Sequence, residues 1–143
     1  MNKKILMIDD DSDDQYLYSG LFTSLDSELR VECRDSAESF FKEYSDSHQT
    51  VAFIPDLILL DLNLPKYKGS EIFLFIKKNK WLKATPVLVL TTSSSPLDIQ
   101  DCRVLGVNAY FIKPMNFNES KKLVETIHHY WFDYNALISH QGE

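Results

Sequence analysis

Asp9 and Asp10 follow the run Ile5-Leu6-Met7-Ile8, and Asp61 follows Leu57-Ile58-Leu59-Leu60. Thr91 follows Val87-Leu88-Val89-Leu90, and Lys113 follows Tyr110-Phe111-Ile112. Continuous apolar runs of this length are strands buried on both faces of a parallel sheet. Ligands of such sheets sit beyond the carboxyl ends of the strands, at the switch point in strand order. The three carboxylates, the hydroxyl and the amine are therefore expected to converge on one edge of the sheet. Two carboxylates about 4 Å apart repel by roughly 4 kcal/mol at an effective dielectric near 20. Lys113 supplies one positive charge, which leaves the site short of cations. A divalent ion completes the balance, and an all-oxygen ligand set without His or Cys favours Mg²⁺ or Mn²⁺. Asp61 is then the natural nucleophile, because a carboxylate can attack phosphorus to give an aspartyl-phosphate. The ion, Lys113 and the Thr91 hydroxyl would each face one outer phosphoryl oxygen, where charge must be compensated.

The elements that must position these groups are legible as a pattern. A weaker run, Leu29-Arg30-Val31-Glu32-Cys33, alternates apolar and polar residues and reads as an edge strand. Helical stripes lie between the strands: Leu17, Leu21 and Leu25, then Ala37, Phe40, Phe41 and Tyr44 after a capping-box-like Asp35-Ser36-Ala37-Glu38. Ile72, Phe75 and Ile76 form a third stripe, opening near Gly69. Ser95-Pro96-Leu97-Asp98 opens a fourth, with Ile99, Cys102 and Leu105 facing inward and Gly106 ending it. Leu123, Ile127, Tyr130 and Tyr134 form the last, which is expected to run almost to the end of the chain. The order is βα repeated five times, which predicts an α/β fold with a doubly wound, five-stranded parallel sheet, (βα)5. Residues 46–54 read as a surface loop before the third strand. The whole of residues 1–143 is expected to form one domain, with no room for an output domain.

Bulk properties narrow the function. The 143 residues are 44% hydrophobic, enough for a real core, and carry a net charge of −6. That balance argues against non-specific nucleic-acid binding, which needs a basic face. Cys33 and Cys102 form no metal or redox motif and read as reduced, buried thiols of a cytoplasmic protein. No run suits a signal peptide or a membrane span.

Four motifs together carry a resemblance. Met7-Ile8-Asp9-Asp10-Asp11, Leu59-Leu60-Asp61-Leu62-Asn63-Leu64-Pro65 with Gly69, Val89-Leu90-Thr91, and Tyr110-Phe111-Ile112-Lys113-Pro114 look like the signature set of response-regulator receiver domains in two-component signalling. The likeness covers nearly the whole chain. It implies a flavodoxin-like sheet in the order 2-1-3-4-5 and Asp61 as phosphoacceptor. It implies a metal held directly by Asp10 and Asp61, by Asp9 mainly through water, and by the Asn63 carbonyl. Thr91 and Tyr110 would be the switch pair, and Lys113-Pro114 would carry a cis peptide bond, which only proline makes cheap. The partners implied are a sensor histidine kinase or phosphotransfer protein, a separate downstream protein and a second copy of the chain. Nucleic acid and membrane are not expected partners. Thr92 stands where most receivers have a small residue, and Lys68 where an acid is frequent. The run Thr91-Thr92-Ser93-Ser94-Ser95 resembles single-domain receivers, including those paired with bacterial phytochromes.

Several residues also have plainer readings. Asp11, Asp13 and Asp14 read as a solvated helix entry favoured by the helix dipole. Asp14 stands where a calcium-binding loop requires glycine, so the run is no calcium hand. Tyr110 could equally be core. His48, His128, His129 and His140 read as surface or helix-face residues, not phosphodonors. Of the terminal aromatics, Tyr130 and Tyr134 are expected to pack inward, and Trp131 or Phe132 to face a partner. Two other functions share these residues. An aspartate-based phosphatase of the haloacid-dehalogenase kind would place an acid two residues after the nucleophile, where this chain has Asn63. The alternative to the switch is a phosphorylation-independent, receiver-like interaction module. A receiver would not be an enzyme beyond its own phosphotransfer and dephosphorylation.

Overall fold

A computed structural model of the chain describes residues 3–135. Five strands form one parallel sheet in the order β2-β1-β3-β4-β5. They are β1 (Lys3–Ile8), β2 (Leu29–Arg34), β3 (Leu57–Leu60), β4 (Val87–Thr91) and β5 (Ala109–Ile112). The intervening helices are α1 (Ser12–Leu25), α2 (Ala37–Glu43), α3 (Gly69–Lys78), α4 (Pro96–Leu105) and α5 (Phe117–His128). The alternation read from the sequence is thus the architecture found.

Strand periodicity divides the core in two. On one face Leu6, Ile8, Ile58, Leu60 and Val87 pack with Phe40, Ile72 and Ile76 from α2 and α3. On the other, Ile5, Met7, Leu57, Leu59, Leu88 and Leu90 pack with Tyr18 and Phe22 of α1 and Val124 and Ile127 of α5. Each fully buried Leu or Ile contributes about 1.5–3 kcal/mol, which pins the central strands and hence the residues at their ends.

Local signals set the helix starts above the sheet edge. Asp11 caps α1 by accepting from the backbone N–H groups of Asp13 and Asp14. Ser95 caps α4, Pro96 follows at its first turn, and Gly106 closes it in the left-handed region at φ 91°. Gly69 opens α3 against the Leu62 side chain of the loop after β3, which a Cβ there would push aside. Lys66, in that same loop, holds φ 72°, a conformation rare for a side-chain-bearing residue.

Some expected details are corrected. The buried face of α1 is Tyr18 and Phe22; Leu17 and Leu21 are half-buried and Leu25 is exposed. Ser36 does cap α2, but it accepts from Ser39 N–H, while Glu38 turns outward to Lys66. The terminal stripe is reversed: Trp131 is buried, whereas Tyr130 and Tyr134 are 57% and 84% exposed. After His128 the chain continues as a π-helix, His129–Tyr134. Val124, Ile127 and Trp131 share the inward face at ordinary helical spacing, one position round from the stripe expected through Leu123. His128, expected at the surface, is buried. Cys102 is buried but Cys33 only half so, and both thiols are free. No helix among the described residues is long and apolar enough to cross a membrane. The expected continuation of the last helix, and His140, lie outside the described residues.

Candidate functional site

Ile8 and Leu60 are register partners across β1 and β3, so the next residues, Asp9 and Asp61, lie side by side at the carboxyl edge. This is the point where the chain, having placed β2 on one side of β1, crosses to place β3 on the other. Backbone bonds hold both: Asp9 N–H donates to the Arg34 carbonyl and Asp61 N–H to the Ile8 carbonyl, each at 3.0 Å. Both carboxylates are buried, at 2% and 5% exposure. Asp10 is exposed, and its carboxylate can be placed with those of Asp9 and Asp61 so that all three ligand atoms lie within 4.8 Å of one another. The three acids therefore face one small volume open to solvent on the Asp10 side.

Lys113 closes the other side. Its ammonium donates to Asp9 at 2.8 Å, Asp61 at 3.0 Å and Asp14 at 2.7 Å. Burial works against the charged ammonium, but the hydrogen bonds to Asp14, Asp9 and Asp61 outweigh it and raise its pKa. Burial also pushes the Asp9 carboxyl upward, against the hydrogen bond from Lys113. One ammonium thus serves three carboxylates while Asp10 stands outside its reach, the charge deficit expected of a cation site. The Lys113 contact makes Asp14 part of the site rather than only a solvated helix entry. The signal for it was present in its place on the first turn of α1, above the sheet edge, but sequence alone gives no side-chain direction.

The remaining oxygens come from the loops after β3 and β4. Asn63 N–H donates to Asp61 Oδ1 at 3.0 Å, which leaves Oδ2 for Lys113. The Asn63 amide donates to Thr91 Oγ1 at 3.3 Å and to Thr92 Oγ1 at 2.9 Å. Thr91 is fully buried, while Thr92 is exposed. Thr92 is thus a partner of Asn63, a contact its sequence position did not disclose. Tyr110 is half-buried on β5, and its hydroxyl donates to the Ser93 carbonyl at 2.8 Å. Burial raises its phenol pKa. Tyr110 is tied through Ser93 to the segment that carries Thr91.

The peptide bond between Lys113 and Pro114 is trans, as no cis peptide bond is present among the described residues. This corrects the expectation. Even before proline the trans form is favoured by about 0.5–1 kcal/mol, and Lys113 reaches its three acids from the trans backbone.

A doubly wound parallel sheet with an acidic cluster and a buried lysine at its switch point defines the receiver class of signalling module. The chain belongs to the response regulator receiver domain family, whose model matches residues 5–125. It is 37% identical over 133 residues to the probable methanogenesis regulatory protein FilR2 of Methanothrix harundinacea, covering 92% of this chain and 84% of that one. It is 36% identical over 135 residues to response regulator Rcp1 of Synechocystis, covering 92% and 90%. The crystal structure of a Mn(2+)-bound Rcp1 superposes with a TM-score of 0.83 at 31% identity, over 96% of this chain and 99% of that one. The phosphorylated cyanobacterial phytochrome response regulator RcpA superposes at 0.87 with 33% identity, over 97% and 100%.

Proposed function

We propose that this receiver accepts a phosphoryl group on Asp61 from the phosphohistidine of a sensor histidine kinase or phosphotransfer protein, in a Mg²⁺-dependent reaction. The observation that carries the reading is the shared grip of Lys113 on buried Asp9 and Asp61, with Asp10 within ligand distance of both acids. Asp9, Asp10, Asp61 and the Asn63 carbonyl would hold Mg²⁺ or Mn²⁺, and the all-oxygen donor set fits either ion. The Mn(2+)-bound Rcp1 supports this. Bound there, the ion supplies positive charge to the phosphoryl oxygens and offsets the repulsion among the acids.

Asn63 N–H fixes the Asp61 carboxylate so that one oxygen is presented to phosphorus. That oxygen forms the new P–O bond as the P–N bond to imidazole breaks and the ring nitrogen keeps the electron pair. Lys113 and the Thr91 hydroxyl compensate charge on the transferred group. Thr91 would turn from Asn63 toward the phosphate, and Tyr110 would leave the Ser93 carbonyl for the vacated space. The two arrangements form an equilibrium that phosphorylation shifts. A downstream protein, or a second copy of the chain, reads the changed face of α4, β5 and α5. The chain is then a cytoplasmic switch rather than an enzyme acting on an external substrate. Its likeness to Rcp1 and RcpA makes a phytochrome-type kinase the first partner to test.

Incubation with acetyl phosphate and Mg²⁺, followed by intact-mass measurement, is expected to add one phosphoryl group to the parent protein. Asp61→Asn and the chelator-treated parent should add none. Equal labelling of Asp61→Asn would refute the assignment.

A further inference from the structure

At the opposite end of the sheet, where α5 passes into the π-helix, His128, His129 and Asp133 gather beside Asp26 and Lys3. Lys3 and Asp9 are six positions apart along a strand, so this cluster lies roughly 20 Å from the acidic edge. His128 Nε2 lies 2.9 Å from Asp26 Oδ2, which also accepts from Lys3 Nζ at 2.8 Å. A carboxylate of this kind can only accept. Paired with the Lys3 ammonium, Asp26 stands as a carboxylate. The Nε2 nitrogen therefore carries hydrogen, and in a neutral ring Nδ1 presents a lone pair.

That lone pair has a specific problem. His128 is 6% exposed, and Nδ1 is a buried polar atom without a hydrogen-bond partner among the described residues. It faces Asp133 Oδ2 at 3.7 Å, two acceptors pointing at each other. The gap is too long for a hydrogen bond. It is close to the separation of two ligands on a tetrahedral ion with bonds of about 2.0–2.2 Å. His129 Nδ1 donates to the same Asp133 oxygen at 2.6 Å, a hydrogen bond that an ion would replace once the ring proton moves to Nε2, and one ligand atom from each of the three residues falls within 4.8 Å of the others. The π-helix contributes by bringing residues five apart, such as His128 and Asp133, onto one face.

We propose that His128, His129 and Asp133 form a second metal site that takes Zn²⁺, distinct from the Mg²⁺ site of the acidic edge. Two imidazoles and a carboxylate suit a borderline ion and not Mg²⁺, which prefers oxygen alone. Asp26 completes the arrangement found around metal-bound histidines: the ring nitrogen opposite the metal donates to a carboxylate that fixes tautomer and orientation. Three protein ligands leave a fourth position for water or an outside donor. A bound ion would staple the π-helix to the end of α1 through His128 and Asp26.

Tag-free protein in millimolar Mg²⁺, titrated with Zn²⁺ or Co²⁺, tests the site. The parent should bind about one equivalent, with the intense visible bands of tetrahedral Co²⁺. His129→Ala and Asp133→Ala change exposed residues and should stay folded by circular dichroism, yet each should weaken binding at least tenfold. Asp26→Asn should weaken it by about 10–100-fold, the usual cost of losing such a carboxylate. Asp10→Asn should leave it unchanged. No uptake by the parent, or uptake unaltered in both His129→Ala and Asp133→Ala, would overturn the proposal. So would nitrogen-15 spectra showing both His128 nitrogens protonated and indifferent to Zn²⁺.

Discussion

The charge balance of the site rests on Lys113. Asp9 and Asp61 are buried, and the same ammonium partners both, with Asp14 as a third acceptor. Removing one partner of a buried ionic network leaves uncompensated charge and costs about 3–5 kcal/mol. Lys113→Met should therefore lower unfolding free energy by about that amount in urea titrations without divalent ions. Millimolar Mg²⁺ should restore part of the loss, because an ion bound only by the native state stabilises it by mass action. A loss below about 1 kcal/mol would mean that the carboxylates are compensated by something other than Lys113. Asp9, Asp10, Asp61, Thr91 and Lys113 were all legible in the sequence because each follows an apolar run, although the run before Lys113 forms a half-buried edge strand rather than a buried one. Asp14 and Thr92 were not, because their contacts depend on how a helix turn and a loop lean over the edge, which carries no periodic signal.

At the scale of elements, strands and connections followed from the alternation of apolar runs and helical stripes, and the caps at Ser95 and Gly106 stood where the residues indicated. The end of the last helix did not. A stripe anchored on Leu123 put Tyr130 and Tyr134 inside, but the buried residues Val124, Ile127 and Trp131 lie one position round the helix. The substitution pair that tests this is Trp131→Ala against Tyr134→Ala. Truncating the buried indole should cost about 3–5 kcal/mol, and truncating the exposed phenol should stay within about 0.5 kcal/mol. Equal effects in thermal melts would contradict the burial of Trp131 against the exposure of Tyr134. The reversal also explains why His128 was misplaced. Its neighbour Ile127 belonged to the expected stripe, but the buried arc is wide enough to take in the imidazole as well.

For the molecule as a whole, the proposed phosphorylation would be a ligand event on a two-faced sheet whose centre is fixed by packing and whose carboxyl edge is polar. The order β2-β1-β3-β4-β5 puts the acids at the ends of the adjacent inner strands β1 and β3, and Thr91 and Tyr110 on β4 and β5. On the proposed reading, a signal entering at Asp61 would have a short route to the outer strand. Beryllofluoride with Mg²⁺, a mimic of the acyl-phosphate, should bind the native state alone. At about 100 times its Kd it should contribute about 2.7 kcal/mol and raise Tm by roughly 8 °C. Asp61→Asn should show no rise, and an equal rise in that variant would place the mimic elsewhere. The most direct measurement reads the modified atom itself. After phosphorylation with acetyl phosphate, borohydride reduction converts an aspartyl-phosphate to homoserine, and peptide sequencing locates it. Homoserine at position 61 is the predicted result; homoserine at Asp9, Asp10 or any other acid, with Asp61 intact, would contradict the assignment.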